Sequence, residues 1–143
     1  MNDLRWWLSS ERVVLGAASQ AHIAPAVIEL TGGTISALYP LDGFCLPVAA
    51  AAERHVHYGD KLIAPAFINA HTHLALGFLR GAPLQQATLG NMVESYFFDI
   101  EQRMSKEDVY AFSLMGAYDS LLAGVGLVYD HYYAAEQVAQ AIA

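Results

Sequence analysis

Short apolar runs separated by turn residues fill the first 60 positions of the chain. Residues 26–30 and 34–39 are rich in aliphatic side chains, and Gly32 and Gly33 stand between them. Because glycine readily adopts the positive φ angles of a tight turn, this pattern predicts a β-hairpin. Two further strand candidates are residues 12–15 and 54–58. Residues 1–61 are therefore predicted to form a β domain.

From residue 62 the pattern changes to strands that alternate with helices. Residues 62–65 lead into a main strand, and Pro65 belongs at its start because proline lacks an amide donor. Alternate residues of a strand share a face. The two faces carry Phe67, Asn69, His71 and His73 on one side, and Ile68, Ala70 and Thr72 on the other. An inward-facing set that ends in polar groups fits a barrel strand covered by helices outside.

A predicted loop at residues 74–90 separates this strand from a first helix at residues 91–104. Asn91 with Glu94 three positions later is typical of a helix start. The apolar stripe of this helix indicates ordinary core packing.

Ser105 with Asp108 three positions later predicts a second helix, over residues 105–123. Gly124 is a natural stop for it. The positions expected to pack its apolar side are Val109, Phe112, Met115, Tyr118 and Leu122.

A second strand at residues 125–131 and a final helix at residues 134–143 complete the pattern. The order strand, helices, strand, helix is typical of parallel βα units with helices outside the sheet. A complete (β/α)8 barrel needs roughly 200 residues or more. The predicted fold class is therefore α/β, with residues 62–143 as the first βα units of an incomplete TIM barrel.

The residues best suited to chemistry are His71 and His73. On a strand they project to the same face, and two adjacent imidazoles are part of a metal site. Catalytic zinc usually takes three protein ligands and leaves one position for water. His71 and His73 are therefore candidate metal ligands, and the other reading of the pair is two histidines at a partly exposed strand end.

Other polar residues are predicted to have structural or surface roles. Asp130 and His131 lie at the end of the second strand and point oppositely, which favours a supporting or structural role over direct ligation. The remaining candidates are His55 and His57, expected on a solvated edge strand, His22, expected in a surface loop, and Cys45, expected to be buried.

Composition narrows the class of protein. The chain is 55% hydrophobic and carries a net charge of −7 with no basic cluster, which argues against nucleic acid or an anionic membrane as partner. One cysteine cannot form an intrachain disulfide, so a reducing cytoplasm is the expected location. No apolar run approaches the roughly 20 residues of a membrane span, and no signal peptide is predicted.

These motifs resemble the amidohydrolase superfamily of metal-dependent hydrolases, in particular its deaminase and chlorohydrolase branch. The resemblance rests on Leu62-Ile63-Ala64-Pro65, on Asn69-Ala70-His71-Thr72-His73-Leu74, and on Arg80-Gly81. The segment from Leu121 to Asp130 resembles the family's second barrel strand, and the hairpin before residue 40 resembles part of its small β-sandwich.

The resemblance implies a (β/α)8 barrel with a β-sandwich, and it implies that His71 and His73 bind Zn²⁺ or Fe²⁺. It also implies hydrolysis of non-peptide C–N bonds, such as deamination of a purine-like or pyrimidine-like small-molecule substrate, and it leaves a homo-oligomer open. The family's further ligands come from later strands, so we expect this chain to be an incomplete, inactive N-terminal fragment. The alternative is a non-catalytic metal-binding or assembly module.

Overall fold

The computed structural model describes residues 4–47, 54–81, 91 and 93–143. It is a mixed α/β structure that divides into two compact units, an N-terminal unit, Met1–Pro65, and a C-terminal unit, Ala66–Ala143. Parts of the predicted loop at 74–90 and of the predicted helix at 91–104 lie outside the described residues.

The N-terminal unit is a β-sheet with a short 3₁₀ turn, Ala18–Gln20. Its strands are β1 (Arg5–Leu15), β2 (His22–Thr31), β3 (Thr34–Pro40), β4 (His55–His57) and β5 (Leu62–Ile63). The strand order is β3-β2-β1-β4, with β5 also paired to β1. The β2–β3 hairpin is confirmed, and Gly32 and Gly33 make its turn with φ angles of +59° and +83°.

Strand β1 is longer than the predicted strand at residues 12–15. It continues through Ser9 and Ser10, which are both fully buried. The carbonyls of Gly59 and Lys61 both lie within hydrogen-bond distance of the Ser10 hydroxyl as acceptors for its one proton, so this buried polar group is satisfied inside the sheet. The register shifts after Ser10, and the two halves of β1 pair in parallel with β4 and β5 respectively.

One buried apolar cluster of this sheet contains Val13, Ala26 and Ile28. Ile63 packs against the same cluster, because Leu62–Ile63 pairs with Arg12 and Val13 of β1. The expectation that residues 62–65 begin the main strand is therefore wrong. The main strand starts at Phe67, after Pro65.

The C-terminal unit contains two strands and the helices that pack on them. The elements are β6 (Phe67–Thr72), a 3₁₀ helix (Leu74–Leu79), a π-helical segment (Val93–Phe97), α1 (Phe98–Glu101), α2 (Lys106–Leu122), β7 (Val125–Asp130) and α3 (Ala135–Ile142). β6 and β7 are parallel, as the alternation of elements predicted. The first predicted helix ends at Glu101 rather than at residue 104.

Helix α2 begins as predicted. Ser105 and Asp108 form a reciprocal capping box, and the helix is followed by Gly124 with a φ angle of +80°. Its buried face differs from the predicted one, because Ser113 and Gly116 are buried whereas Tyr118 and Leu122 are 62% and 71% exposed. Gly116 allows α2 to approach the Leu74 backbone so closely that a larger residue would not fit.

The core of this unit contains Leu74, Ala75, Val109 and Val138. Large apolar side chains on β6, α2 and β7 remain exposed, among them Phe67, Ile68, Leu121, Leu127 and Tyr129. Within the described residues, no helix is both long and apolar enough to cross a membrane.

Candidate metal centre

The carboxyl ends of β6 and β7 lie side by side, because the parallel strands pair as far as Thr72 with Asp130. His71 stands next to the last residue of β6, and His73 follows that strand directly. Their imidazole centroids are 5.1 Å apart, and the ring planes are nearly perpendicular, at 82°. The two histidines singled out from the sequence thus lie together at one edge of the sheet.

The ring of His73 is oriented by the end of β7. Its Nδ1 lies 2.5 Å from the backbone carbonyl oxygen of His131. A carbonyl can only accept, so Nδ1 carries the proton and donates, and Nε2 keeps a free lone pair. The backbone N–H of His131 donates in turn to the Thr72 carbonyl at 3.1 Å. An outer hydrogen bond of this kind is typical of histidines that bind metals through the other nitrogen.

Asp130 and His131 have supporting contacts, in agreement with the sequence-based expectation. Asp130 Oδ2 accepts a hydrogen bond of 2.7 Å from the backbone N–H of Leu74, at the start of the 3₁₀ helix. His131 contacts His73 through its backbone, and the two ring centroids are 6.2 Å apart. On β6, Asn69 Oδ1 accepts from the His71 backbone N–H at 3.2 Å.

A cleft of about 390 Å³ opens beside His73. Tyr132, Tyr133 and Glu101 contribute to its wall, together with the apolar residues Leu76, Val93, Phe97 and Phe98. The Tyr133 hydroxyl donates to Glu101 Oε2 at 2.8 Å.

The two tyrosines of this cleft are held in their protonated form. The hydrogen bond to Glu101 raises the pKa of Tyr133, and burial, followed by the charge of Glu101, raises the pKa of Tyr132. Each shift adds to an ordinary pKa that already keeps a phenol protonated at neutral pH, and the Tyr133 hydroxyl donates its one proton to Glu101. Sequence reasoning missed these residues, and the only signal for them is the position of Tyr132 and Tyr133 directly after a strand end.

The described residues supply only part of a ligand set. Among residues 4–47, 54–81, 91 and 93–143, no group of three or more His, Cys, Asp or Glu side chains is arranged to hold a metal ion. The candidate ligands at this edge are the imidazoles of His71 and His73, which suit Zn²⁺ chemically, whereas catalytic zinc usually takes three protein ligands.

The remaining residues singled out from the sequence lie in the N-terminal unit. His55 and His57 are on β4 and share a face as expected, and both contact the buried Ser9. His22 is exposed as expected, although it is the first residue of β2 rather than part of a loop. Cys45 is exposed, so the expectation of a buried cysteine is wrong. It follows β3 in a stretch without strand pairing.

Comparison with known proteins gives a family from the sequence and related folds from the structure. Residues 62–143 match the sequence model of the amidohydrolase family. The chain is 32% identical over 130 residues to the 5-methylthioadenosine/S-adenosylhomocysteine deaminase of Symbiobacterium thermophilum, an alignment that covers 90% of this chain and 29% of the relative.

Two solved structures share the fold. An adenosine deaminase from Xanthomonas campestris with bound zinc matches 95% of this chain and 30% of its own, with a TM-score of 0.70 and 20% identity. Atrazine chlorohydrolase from Arthrobacter aurescens TC1, complexed with zinc, matches 94% of this chain and 32% of its own, with a TM-score of 0.72 and 20% identity. The chain thus spans less than a third of the length of these proteins.

Proposed function

Because this chain belongs to the amidohydrolase family, we propose that it supplies the first-strand portion of a metal-dependent hydrolase site, with His71 and His73 as ligands of the metal. The observation that carries the proposal is the placement of two imidazoles 5.1 Å apart at the carboxyl end of a parallel strand. In (β/α) barrels the catalytic residues gather at this end of the strands.

The residues fit zinc in their chemistry and orientation. Neutral imidazole is a good zinc ligand, and the Nδ1–H of His73 is already committed to the His131 carbonyl, which leaves Nε2 for a metal. Fe²⁺ is the alternative metal, since imidazole suits iron as well. A zinc ion bound at such a site lowers the pKa of water to about 7, which permits hydrolysis at neutral pH.

The fold that we propose around this site is a (β/α)8 barrel joined to a small β-sandwich. The C-terminal unit, Ala66–Ala143, would form the first βα units of the barrel, and the N-terminal unit, Met1–Pro65, would form part of the sandwich. The exposed apolar residues support this arrangement, because parallel sheets in proteins are normally buried on both faces. Leu127 and Tyr129 of β7 are 59% and 72% exposed.

The reaction that we propose is hydrolysis of a non-peptide C–N bond in a small-molecule ring substrate, with release of ammonia. The curated relatives are deaminases of 5-methylthioadenosine and S-adenosylhomocysteine, which supports a purine-like substrate. The cleft beside His73, whose walls include Tyr132 and Tyr133, would receive the substrate. A cytoplasmic location and a homo-oligomeric state complete the proposal.

The 143 residues by themselves are proposed to be inactive, because their described part contributes two metal ligands whereas catalytic zinc usually takes three.

A second candidate function, a non-catalytic assembly module, is favoured by the exposed apolar residues of β6, α2 and β7. Size-exclusion chromatography and circular dichroism separate the two ideas. A monodisperse, folded 143-residue chain supports the module, and an aggregated chain argues against it because open strand edges promote aggregation.

A zinc titration tests the ligand assignment. The starting protein carries His55→Ala and His57→Ala, so that the histidines of β4 do not contribute. We expect one weak zinc equivalent with a Kd no tighter than about 1 μM, and a Kd at least about tenfold higher after either His71→Ala or His73→Ala. Isothermal titration calorimetry measures both.

His131→Ala is the matched control for this titration, because His131 contacts His73 through its backbone carbonyl. Its zinc affinity should stay within about twofold of the starting protein. An unchanged Kd in His73→Ala would refute the ligand assignment. Nanomolar binding in the starting protein would instead contradict the idea that the site is incomplete.

A further inference from the structure

Three polar atoms of the N-terminal unit converge at one point of the β-sheet. Ser9 Oγ lies 2.8 Å from His55 Nε2 and 2.9 Å from His57 Nδ1. The three residues come from two strands, since Ser9 is on β1 and the histidines are on β4. They are distinct from the residues of the candidate metal centre, and the inference drawn from them does not depend on the proposed function.

The backbone holds these atoms in place. β4 pairs in parallel with β1, with Trp7 opposite His55 and Ser9 opposite His57. The Ser9 carbonyl also accepts from the Tyr58 backbone N–H at 2.8 Å, directly after β4. Ser9 is fully buried whereas His57 is exposed, so the cluster has a fixed floor and an entrance from solvent.

The hydrogen bonding within this cluster determines what each ring nitrogen carries. A serine hydroxyl has a single proton, so it can donate to only one of the two imidazoles. The other imidazole must itself donate to Ser9 Oγ. One ring nitrogen therefore already directs a lone pair at the shared point, and the second does so when its ring takes the other tautomer, with the proton on the opposite ring nitrogen.

We propose that His55 and His57, with Ser9 Oγ as a third donor, form a separate site for a divalent transition metal, and that Cu²⁺ is the preferred ion. Imidazole nitrogen with an oxygen donor in a tetragonal arrangement is typical of Cu²⁺ sites. The chain's net charge of −7 favours the approach of a cation.

The preference for copper over zinc follows from the general order of divalent-metal affinities, in which imidazole sites bind Cu²⁺ more tightly than Zn²⁺. The 2.8 and 2.9 Å distances show that both ring nitrogens already lie around the same hydroxyl. A turn of each ring about its broad χ2 torsion would direct both nitrogens at one ion.

Titration of Cu²⁺ into the full 143-residue chain tests the site, with His71→Ala and His73→Ala present to remove the other pair. We expect one equivalent of Cu²⁺ per chain, with an electron paramagnetic resonance spectrum that shows coupling to two nitrogens. His57→Ala should raise the Kd at least about tenfold. Zn²⁺ should bind at least about tenfold more weakly than Cu²⁺, following the order of divalent-metal affinities.

His22→Ala is the matched control, because His22 is an exposed histidine of the same unit outside the cluster. An equal loss of copper binding in His22→Ala, or an unchanged Kd and spectrum in His57→Ala, would overturn the proposal. Equal affinities for Zn²⁺ and Cu²⁺ would overturn the preference for Cu²⁺. Paramagnetic broadening of amide signals gives a second measurement without substitutions in the cluster: it should centre on Ser9 and Tyr58, and broadening centred elsewhere refutes the site.

Discussion

Two pairs of histidines with the same spacing lie in very different surroundings. His71 and His73 stand at the carboxyl end of a parallel strand, and the ring of His73 is oriented by a backbone carbonyl from the neighbouring strand end. His55 and His57 lie on a three-residue edge strand, and both rings contact one buried serine hydroxyl. The first pair leaves a lone pair free, and the second shares its nitrogens with a protein oxygen.

The difference shows that the spacing of two histidines controls which face of the strand they share, whereas their surroundings control which ring nitrogens can bind a metal. Positions two apart on a strand share a face whatever the rest of the fold does. The partner of each ring decides which nitrogen carries a proton and which can bind a metal. The carbonyl that contacts His73 Nδ1 is 58 positions away in the chain, and Ser9 is 46 positions from His55.

The largest expected effect is a loss of stability in the C-terminal unit alone, caused by a substitution where α2 packs against the backbone next to His73. In Gly116→Ala the new Cβ would lie 2.5 Å from the Leu74 carbonyl oxygen, so α2 and the 3₁₀ helix must move apart. We expect a net loss of about 1–3 kcal/mol in the free energy of unfolding of the C-terminal unit, beyond any gain in helix propensity. Urea denaturation followed by helical circular dichroism measures it.

The two tryptophans, Trp6 and Trp7, supply an internal reference for this variant because both lie in the N-terminal unit. Their fluorescence transition should stay in place when the circular dichroism transition shifts. Gly77→Ala is the control substitution, since its Cβ would lie at an ordinary contact distance of 3.9 Å from Gly116 Cα. A shift of the tryptophan transition by the same amount would show that the two regions do not unfold separately.

A smaller effect is expected from Ser9→Ala, which removes the hydroxyl between His55 and His57. Loss of this buried group should cost about 1 kcal/mol of the free energy of unfolding of the N-terminal unit, measured by tryptophan fluorescence in urea. Zinc affinity at His71 and His73 should be unchanged. The exposed Ser19→Ala is the control, and a Ser9→Ala protein as stable as that control would contradict a structural role for the cluster.

The smallest expected effect is a pH dependence confined to the C-terminal unit. The Ser105 backbone N–H and hydroxyl donate to Asp108 and hold the pKa of its carboxyl below the ordinary value. The folded state therefore favours the ionised Asp108 carboxylate, so this group contributes to the free energy of unfolding at neutral pH. That contribution is lost as the pH falls below about 4 and through the lowered pKa.

Asp108→Asn should remove this part of the acid sensitivity. The measurement compares urea midpoints at pH 7 and pH 3, with helical circular dichroism for the C-terminal unit and tryptophan fluorescence for the N-terminal unit. We expect Asp108→Asn to lose less stability than the parent protein between these pH values. The same pH dependence in both proteins would mean that the capping box does not contribute.

The sequence by itself determined the features that depend on neighbours along the chain. The Gly32–Gly33 turn, the Ser105–Asp108 capping box and the shared face of His71 and His73 each follow from local φ angles, local hydrogen bonds or strand periodicity. The alternation of strand and helix predicted the parallel pairing of β6 and β7, and the motif around His71 indicated the family.

Only the tertiary structure decided the features that depend on distant partners. Strand β1 continues through Ser9 and Ser10, and both residues are buried. Their hydroxyls can be buried because neighbouring strands and turns supply hydrogen-bond partners. On α2, close approach to the Leu74 backbone selects Gly116 for the buried face and leaves Tyr118 exposed. Hydrophobic periodicity reports which residues can be buried, and the packing of other elements determines which of them are.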